Sequence, residues 1–308
     1  MTSAILLAVP NVSEGRDAEA ISAIADAFGG GEGVRLIDVH SDADHHRSVF
    51  TIAGPPPTLA DAILAGARAT LARVNVVSDA AAPPERSGKH PHVGALDVAP
   101  VVYTDARARG AACAEALVVA DRIGEELAVP VFLYGELTAE EPAAQRTRAQ
   151  LRRGGVLGLE QRMQEDPPSA RLHPDFGPAR LHPSAGATLV AARPPLVAFN
   201  LQLREPATVA DAHRIAGLVR EHGVAGVPGL RAIGIELAGG VAQVSMNVER
   251  PFDVSLAEIV HAVAAHVEVA SAEIVGLAPE AALDGFPRDL PLVGFDGARQ
   301  VIENALGS

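Results

Sequence analysis

The order in which two apolar periodicities follow one another constrains this chain more than any other feature. Short β-branched runs mark strands, and apolar residues recurring every three or four positions mark helices. Residues 5–10 read as a strand cut off by Pro10, and the polar turn 11–16 follows. Over 17–28 the apolar Ile21, Ile24, Ala25 and Phe28 share one helical face, and Gly29, Gly30 and Gly31 supply the stop. The β-branched runs 34–39 and 49–53 flank the polar segment 40–47, which predicts an antiparallel pair around a loop. Pro55, Pro56 and Pro57 bar an earlier helical start, so the spacing predicts a helix from a Thr58 cap to Val74. Residues 96–103 are the next strand.

That order is β-α-β-β-α-β, the split pattern of ferredoxin-like domains, with a helix at 106–127 and a strand at 131–134 appended. The second half repeats it. Strand 196–203, helix 208–221, strands 230–237 and 241–248, helix 256–269 and strand 272–277 follow in turn. The halves share architecture without obvious shared sequence. Between them, 136–195 holds an arginine-rich helix and then a loop dense in glycine and proline, long enough to suggest that it binds something. The fold class expected is α+β: two tandem ferredoxin-like subdomains, 1–178 and 179–308, each a sheet with helices on one face.

A formal charge of −13 argues against a nucleic-acid or anionic-membrane surface, since either needs a basic face. No run approaches the roughly 18 to 20 apolar residues that cross a bilayer. Cys113 is the single cysteine, which excludes an internal disulfide and a cysteine-rich zinc module and makes the cytoplasm the expected compartment. An anionic small molecule fits better. Lys89 is the single lysine, so gripping a carboxylate falls to arginine, whose planar fork does so in bidentate fashion.

Three clusters can carry chemistry. In 88–97 two histidines, His90 and His92, stand immediately before a strand. Imidazole titrates near pH 7, so His90 there can give and accept a proton, or it can cap a surface turn. The segment 40–47 gathers His40, His45, His46 and two aspartates; it reads as metal ligands, as a solvated hairpin loop, or as a ligand-facing loop in which Arg47 holds a carboxylate. It lacks a paired-histidine metal motif. The stretch 175–188, followed by Arg193, combines glycines that permit close backbone approach with hydroxyls and the apolar face of Phe176. It can cradle a flat heterocycle or an acid group, or act as a hinge; it is no phosphate loop.

Several strings, in order, resemble the formiminotransferase family: Val9-Pro10-Asn11-Val12-Ser13-Glu14-Gly15, His90-Pro91 with Gly94-Ala95-Leu96-Asp97, and Val129-Pro130-Val131-Phe132-Leu133-Tyr134-Gly135-Glu136. Asp175-Phe176-Gly177-Pro178, Gly186-Ala187-Thr188, Ala198-Phe199-Asn200 and Gln243-Val244-Ser245 extend the match over nearly the whole chain. The resemblance implies a homodimer with a ligand tunnel between the subdomains, and transfer of a formimino group from N-formimino-L-glutamate to tetrahydrofolate in histidine degradation. It implies His90 as the proton-moving histidine. Gly177, Pro178, Ala179, Arg180, Leu181, His182, Pro183, Ser184, Ala185 and Gly186 would bind folate, and Asn11, His40, His46, Arg47 and His92 would contact the donor substrate. Tetrahydrofolate enters as co-substrate, and no metal is expected. Better-known animal members carry arginine where His92 stands and aspartate where His40 stands, and are fused to a cyclodeaminase domain whose activity is not expected here.

Two rival readings differ in chemistry. A metal-assisted hydrolase or deiminase of formiminoglutamate would use the 40–46 cluster and water, and a non-catalytic folate- or amino-acid-binding module would leave the histidines structural.

Overall fold

A computed structural model describes residues 5–80 and 91–307, and its chain divides into two compact units, 1–194 and 195–308. Both are mixed α+β.

The first unit is built on a seven-stranded sheet. Strands β1 (Leu6–Ala8) and β2 (Asn11–Val12), interrupted at Pro10, form one line between β4 (Arg47–Gly54) and β5 (Leu96–Val102), antiparallel to both. Strand β3 (Arg35–Asp42) pairs antiparallel with β4 on its outer side. Beyond β5, β7 (Thr188–Arg193) and β6 (Val131–Leu133) continue the sheet in parallel register. Helix α1 (Ala18–Gly29) starts where the Asp17 carboxylate accepts the Glu19 and Ala20 amides, a side-chain cap on otherwise orphan donors. Helix α2 (Thr58–Leu71) starts after Pro57; Thr58 is its first residue rather than its cap, and its hydroxyl donates back to the Pro55 carbonyl at 2.8 Å. The short α3 (Val76–Ala80) and the long α4 (Arg109–Leu127) follow.

Alternation along the strands sorts the sheet into two faces. Phe50, Ile52, Leu96, Ala99, Val101, Val131, Leu133, Val190 and Ala192 pack with Ile24, Phe28, Ile63, Ala67, Ala116 and Ile123 of α1, α2 and α4. Their odd-and-even neighbours Val98, Phe132, Tyr134, Leu189 and Ala191 face the other way, onto Leu151 of α5 (Arg148–Arg152) and Leu159 and Met163 of α6 (Gly155–Met163). Helices therefore lie on both faces at the β5–β7–β6 end, which corrects the expectation of helices on one face. The cause is in the sequence: β5 is buried at every position, as a strand in the middle of a partly parallel sheet must be.

The second unit is a four-stranded antiparallel sheet in the order β11–β8–β10–β9. Its chain runs β8 (Val197–Leu203), α7 (Val209–Val219), β9 (Leu230–Glu236), β10 (Ala242–Val248), α8 (Leu256–Ala264) and β11 (Val269–Val275). Both helices open on capping boxes, Thr208 with Asp211 and Ser255 with Glu258. Their apolar stripes meet Phe199, Leu201, Val244, Met246 and Ile274 in a separate core. The helix expected over 256–269 ends at Ala264, because Val269 already belongs to the edge strand.

The long connection also differs from expectation. Near its end, Thr188–Arg193 form the buried strand β7, held between β5 and β6. The units consequently part at Pro194 and Pro195, where the sequence reading divided them at 178/179. Among the described residues no helix is long and apolar enough to cross a membrane.

Candidate functional site

Register places three of the expected contact residues together. His40 and Asn11 each pair with Val49, from opposite sides, so the three line up across β3, β4 and β2. Paired residues point to one face, and Arg47 lies two residues before Val49 on the same face, opposite Phe50 and Ile52. Asn11, His40 and Arg47 thus share the sheet face turned away from α1, α2 and α4. All three are partly buried. The Asn11 side chain donates to the Val9 carbonyl at 2.9 Å, which fixes its orientation beside Pro10.

The segment expected as a polar loop is shorter than 40–47, since β3 runs on to Asp42 and β4 begins at Arg47. Within the turn, His45 is buried and its Nδ1 lies 2.7 Å from Asp42 Oδ2, while its amide donates to Asp42 Oδ1. Burial pushes the Asp42 carboxyl up, but these bonds outweigh it and hold the pKa at about 2. His46 takes a left-handed backbone, φ 51°, and its Nδ1 accepts the Gly15 amide at 3.1 Å, which ties the turn to the loop after β2. Ser48 adds a second tie, donating to the Glu14 carbonyl at 2.6 Å. His45 and His46 are therefore engaged in building the turn. Among the described residues no group of three or more histidine, cysteine or acidic side chains is placed to hold a metal ion.

His90 lies outside the described residues. From Pro91 onward the chain is stitched on two sides. Val93 and Ala95 exchange backbone hydrogen bonds with Ala187 and Ala185, and Ala95 accepts from Ser13 at 2.9 Å. Ser13 Oγ donates to the Gly94 carbonyl at 2.8 Å. Gly94 has no alternative here: a Cβ would stand 1.8 Å from the Ala187 carbonyl oxygen. The segment following His90 therefore joins the Asn11 strand to the end of the glycine-rich loop. His92 is partly buried in this segment.

The loop itself divides by role. Gly177 and Gly186 both have positive φ, and a Cβ on either would stand 2.7 Å from the Val129 oxygen or 2.3 Å from the Val93 oxygen. These glycines serve close packing. Ala185 is buried, Leu181 packs on both cores of the unit, and Ser184 accepts from the Val77 amide of α3. His182 Nδ1 accepts the Ser184 and Ala185 amides at 3.3 and 3.0 Å, which leaves Nε2 as the nitrogen that carries a proton, and burial lowers the pKa of the ring. Gly177, Ala179, Arg180 and Pro183 are exposed and Pro178 is partly buried, so the residues open to a ligand lie between Gly177 and Pro183. Thr188 does not face a ligand: it is buried in β7 and donates to the Leu96 carbonyl at 2.8 Å.

A charged cluster beside Arg47 was not assigned from sequence. Asp97 is 2% exposed, accepts the Val93 amide at 2.8 Å through Oδ1, and is bound through Oδ2 by Arg152 of α5. Arg47 feels this cluster. Burial first, then repulsion from Arg152, lowers its pKa to about 10, with Asp97 and Asp42 pulling the other way and Arg148 adding to the lowering. Arg148 stacks its guanidinium 5.8 Å from the centroid of the Tyr134 ring. A signal existed: Asp97 is the one charged residue in the strand sequence LDVAPVV, and a buried charge demands a partner. Arg148 and Arg152 stand at i and i+4, on one side of their helix.

The chain is similar to proteins of known activity. The profile described as "Formiminotransferase domain, N-terminal subdomain" matches residues 5–193. The glutamate formimidoyltransferase of Streptococcus pyogenes serotype M1 is 34% identical over 309 residues, with 98% of each chain covered. That of Thermoplasma acidophilum is 33% identical over 295 residues, covering 94% of this chain and 93% of the relative. The formimidoyltransferase-cyclodeaminase of Rattus norvegicus is 35% identical over 297 residues, covering 91% of this chain but 51% of the relative. The chain spans about half the length of that bifunctional relative.

Proposed function

The chain belongs to the formiminotransferase family, and from that we propose that it moves the formimino group of N-formimino-L-glutamate onto tetrahydrofolate, giving 5-formimidoyltetrahydrofolate and L-glutamate. It is on this reading a folate-dependent transferase of histidine degradation, with tetrahydrofolate as co-substrate. The observation that carries it is the end-to-end match to a glutamate formimidoyltransferase, which covers 98% of both chains. Both units are read as ferredoxin-like subdomains. In support, each sheet contains a βαββαβ run whose four strands lie in the order fourth, first, third, second: β5–β1–β4–β3 and β11–β8–β10–β9.

In this reaction the N5 amine of tetrahydrofolate attacks the amidine carbon, and the tetrahedral intermediate must expel glutamate as an amine. Expulsion needs a proton on the departing nitrogen. We assign its delivery to His90, which takes the proton that N5 loses. Supporting this, the residues that follow His90 are bonded to the strand of Asn11 and Ser13 on one side and to the loop ending at Gly186 on the other. Asn11, His40 and Arg47 on one sheet face, with His46 next to Arg47 and His92 two residues after His90, are assigned to the donor, and the exposed stretch around Ala179 and Arg180 to folate. Holding both reactants in register supplies about 7 kcal/mol or more of a bimolecular barrier, so no covalent nucleophile is needed.

The test is turnover of purified protein with tetrahydrofolate and formiminoglutamate, following the folate adduct and free glutamate together. His90→Ala is expected to lower kcat by roughly 100- to 10,000-fold with folate binding retained. Unchanged turnover in that variant would remove His90 from the mechanism, and no transfer by the wild type would remove the function.

A further inference from the structure

Tyr134 is 5% exposed, yet its hydroxyl has no hydrogen-bond partner. A phenol is normally buried with its hydroxyl satisfied, because leaving a polar group dry and unpaired is unfavourable. The ring lies on the same side of the sheet as Phe132, Val98 and Leu189, against α5, and Arg148 from that helix stacks over it. One turn further along α5, Arg152 is 11% exposed and holds Asp97 through Nη2, while its Nε is buried without a partner. Arg47, on the same face of the sheet, is close enough to sense Arg152, Arg148 and Asp97. The two carboxylates that Arg47 senses are already committed: Asp97 to Arg152 and the Val93 amide, Asp42 to His45. What converges is a set of donors, three guanidinium groups and a phenol, of which two buried donor atoms are unused.

We propose that Arg148, Arg152 and the Tyr134 hydroxyl, together with Arg47, form a pocket that grips a glutamyl carboxylate. This deepens the transferase reading and rests on it for the identity of the ligand. A cation is the wrong guest for such a donor set, whereas a planar carboxylate takes parallel N–H bonds from a guanidinium and one more from a phenol. Two sources supply the same group, the glutamate of the donor substrate and the glutamyl tail of folate. The donor is favoured because Arg47 shares its sheet face with Asn11 and His40. The role is selectivity. Arg148 and Tyr134 hold the acid end of the substrate and leave the amidine end to react.

The experiment compares wild type, Arg148→Ala and Tyr134→Phe, in steady-state kinetics and in calorimetric titration with L-glutamate. Arg148→Ala is expected to raise KM for formiminoglutamate by about 10- to 100-fold, the loss of bonds to a charged group, and Tyr134→Phe by about 5- to 20-fold. The kcat should fall far less than KM rises, and KM for tetrahydrofolate and the thermal midpoint should stay within error. If KM for tetrahydrofolate rises instead, while that for tetrahydropteroate, which lacks the glutamyl tail, does not, the pocket stands and its guest is the folate tail. If the wild type binds L-glutamate, the variant does not, and no protein transfers a formimino group, the pocket stands and the transferase reading falls. Unchanged KM values and unchanged glutamate affinity in both variants overturn the pocket.

Discussion

The two sheets repeat one strand order but differ in the chemistry of the face turned away from their long helices. In the first unit that face carries Arg47, Asp42 and His40, with Asp97 and Arg152 paired beside them. In the second, the central strands present Asn200, Gln202, Gln243 and Ser245, aligned as Gln243 with Gln202 and Ser245 with Asn200. Asn200 donates to Glu273 at 2.9 Å and Ser271 to Gln202 at 3.2 Å, so this face is knit across strands by amides and hydroxyls. One frame thus carries a face built on arginine and carboxylate pairs and another built mainly on amides and hydroxyls. Strand order fixes where a side chain stands, and the residue standing there decides what it can recognise.

The sharpest way to break this contrast is to unpair the charged face. Asp97→Ala removes a carboxylate that is 2% exposed and strands Arg152 in a buried setting. Breaking a buried ion pair from one side costs about 3 to 5 kcal/mol, because the remaining charge is left without compensation. The Val93 amide loses its acceptor as well, which loosens the segment just after His90. Chemical denaturation of wild type and variant measures the difference. A cost under about 1 kcal/mol would mean that the pair does not hold this face together.

A second prediction uses acid. Asp42 titrates at about 2 in the folded chain against 3.8 for the free group, so it binds its proton more readily when unfolded. A depressed carboxylate pKa contributes stability above pH about 4, and that contribution fades as pH falls from there towards 2. At most about 2 kcal/mol is involved. Asp42→Asn should therefore flatten the acid limb of the stability profile between pH 4 and pH 2 and change little near pH 7 in slope. A control variant on the amide face of the second unit, which does not touch Asp42, should leave that limb unaltered.

How far the sequence carries the contrast depends on distance along the chain. The break at Pro10 and the eight strands of the repeated pattern follow from neighbours within a few residues, and the structure contains them. Strand β7 was not legible, because Thr188–Arg193 looks like the tail of a glycine-rich loop until β5 and β6 are brought to either side of it. The cluster of Asp97 with Arg152 was hidden for the same reason: the two are 55 residues apart, and spacing says nothing about which arginine answers a buried aspartate. Within the glycine-rich segment, sequence could not separate Gly177 and Gly186, which pack against backbone, from the exposed Ala179 and Arg180. Asn11, His40 and Arg47 were legible as candidates, but their common face depends on register, which only pairing reveals.

The smallest effect is expected on the amide face, and it tests the contrast from the other side. Gln243 is 1% exposed and its Nε2 has no partner, so the folded state carries an unsatisfied donor at that position. Such a group costs about 1 to 3 kcal/mol relative to a satisfied one, whereas methionine at the same site fills similar volume with no donor to leave dry. Loss of the amide and gain of apolar contact nearly offset the change in shape, so Gln243→Met should alter stability by no more than about 1 kcal/mol, with a rise as the expected sign. Thermal midpoints of the two proteins decide it. A loss above about 2 kcal/mol would mean that the Gln243 amide makes bonds essential to the fold.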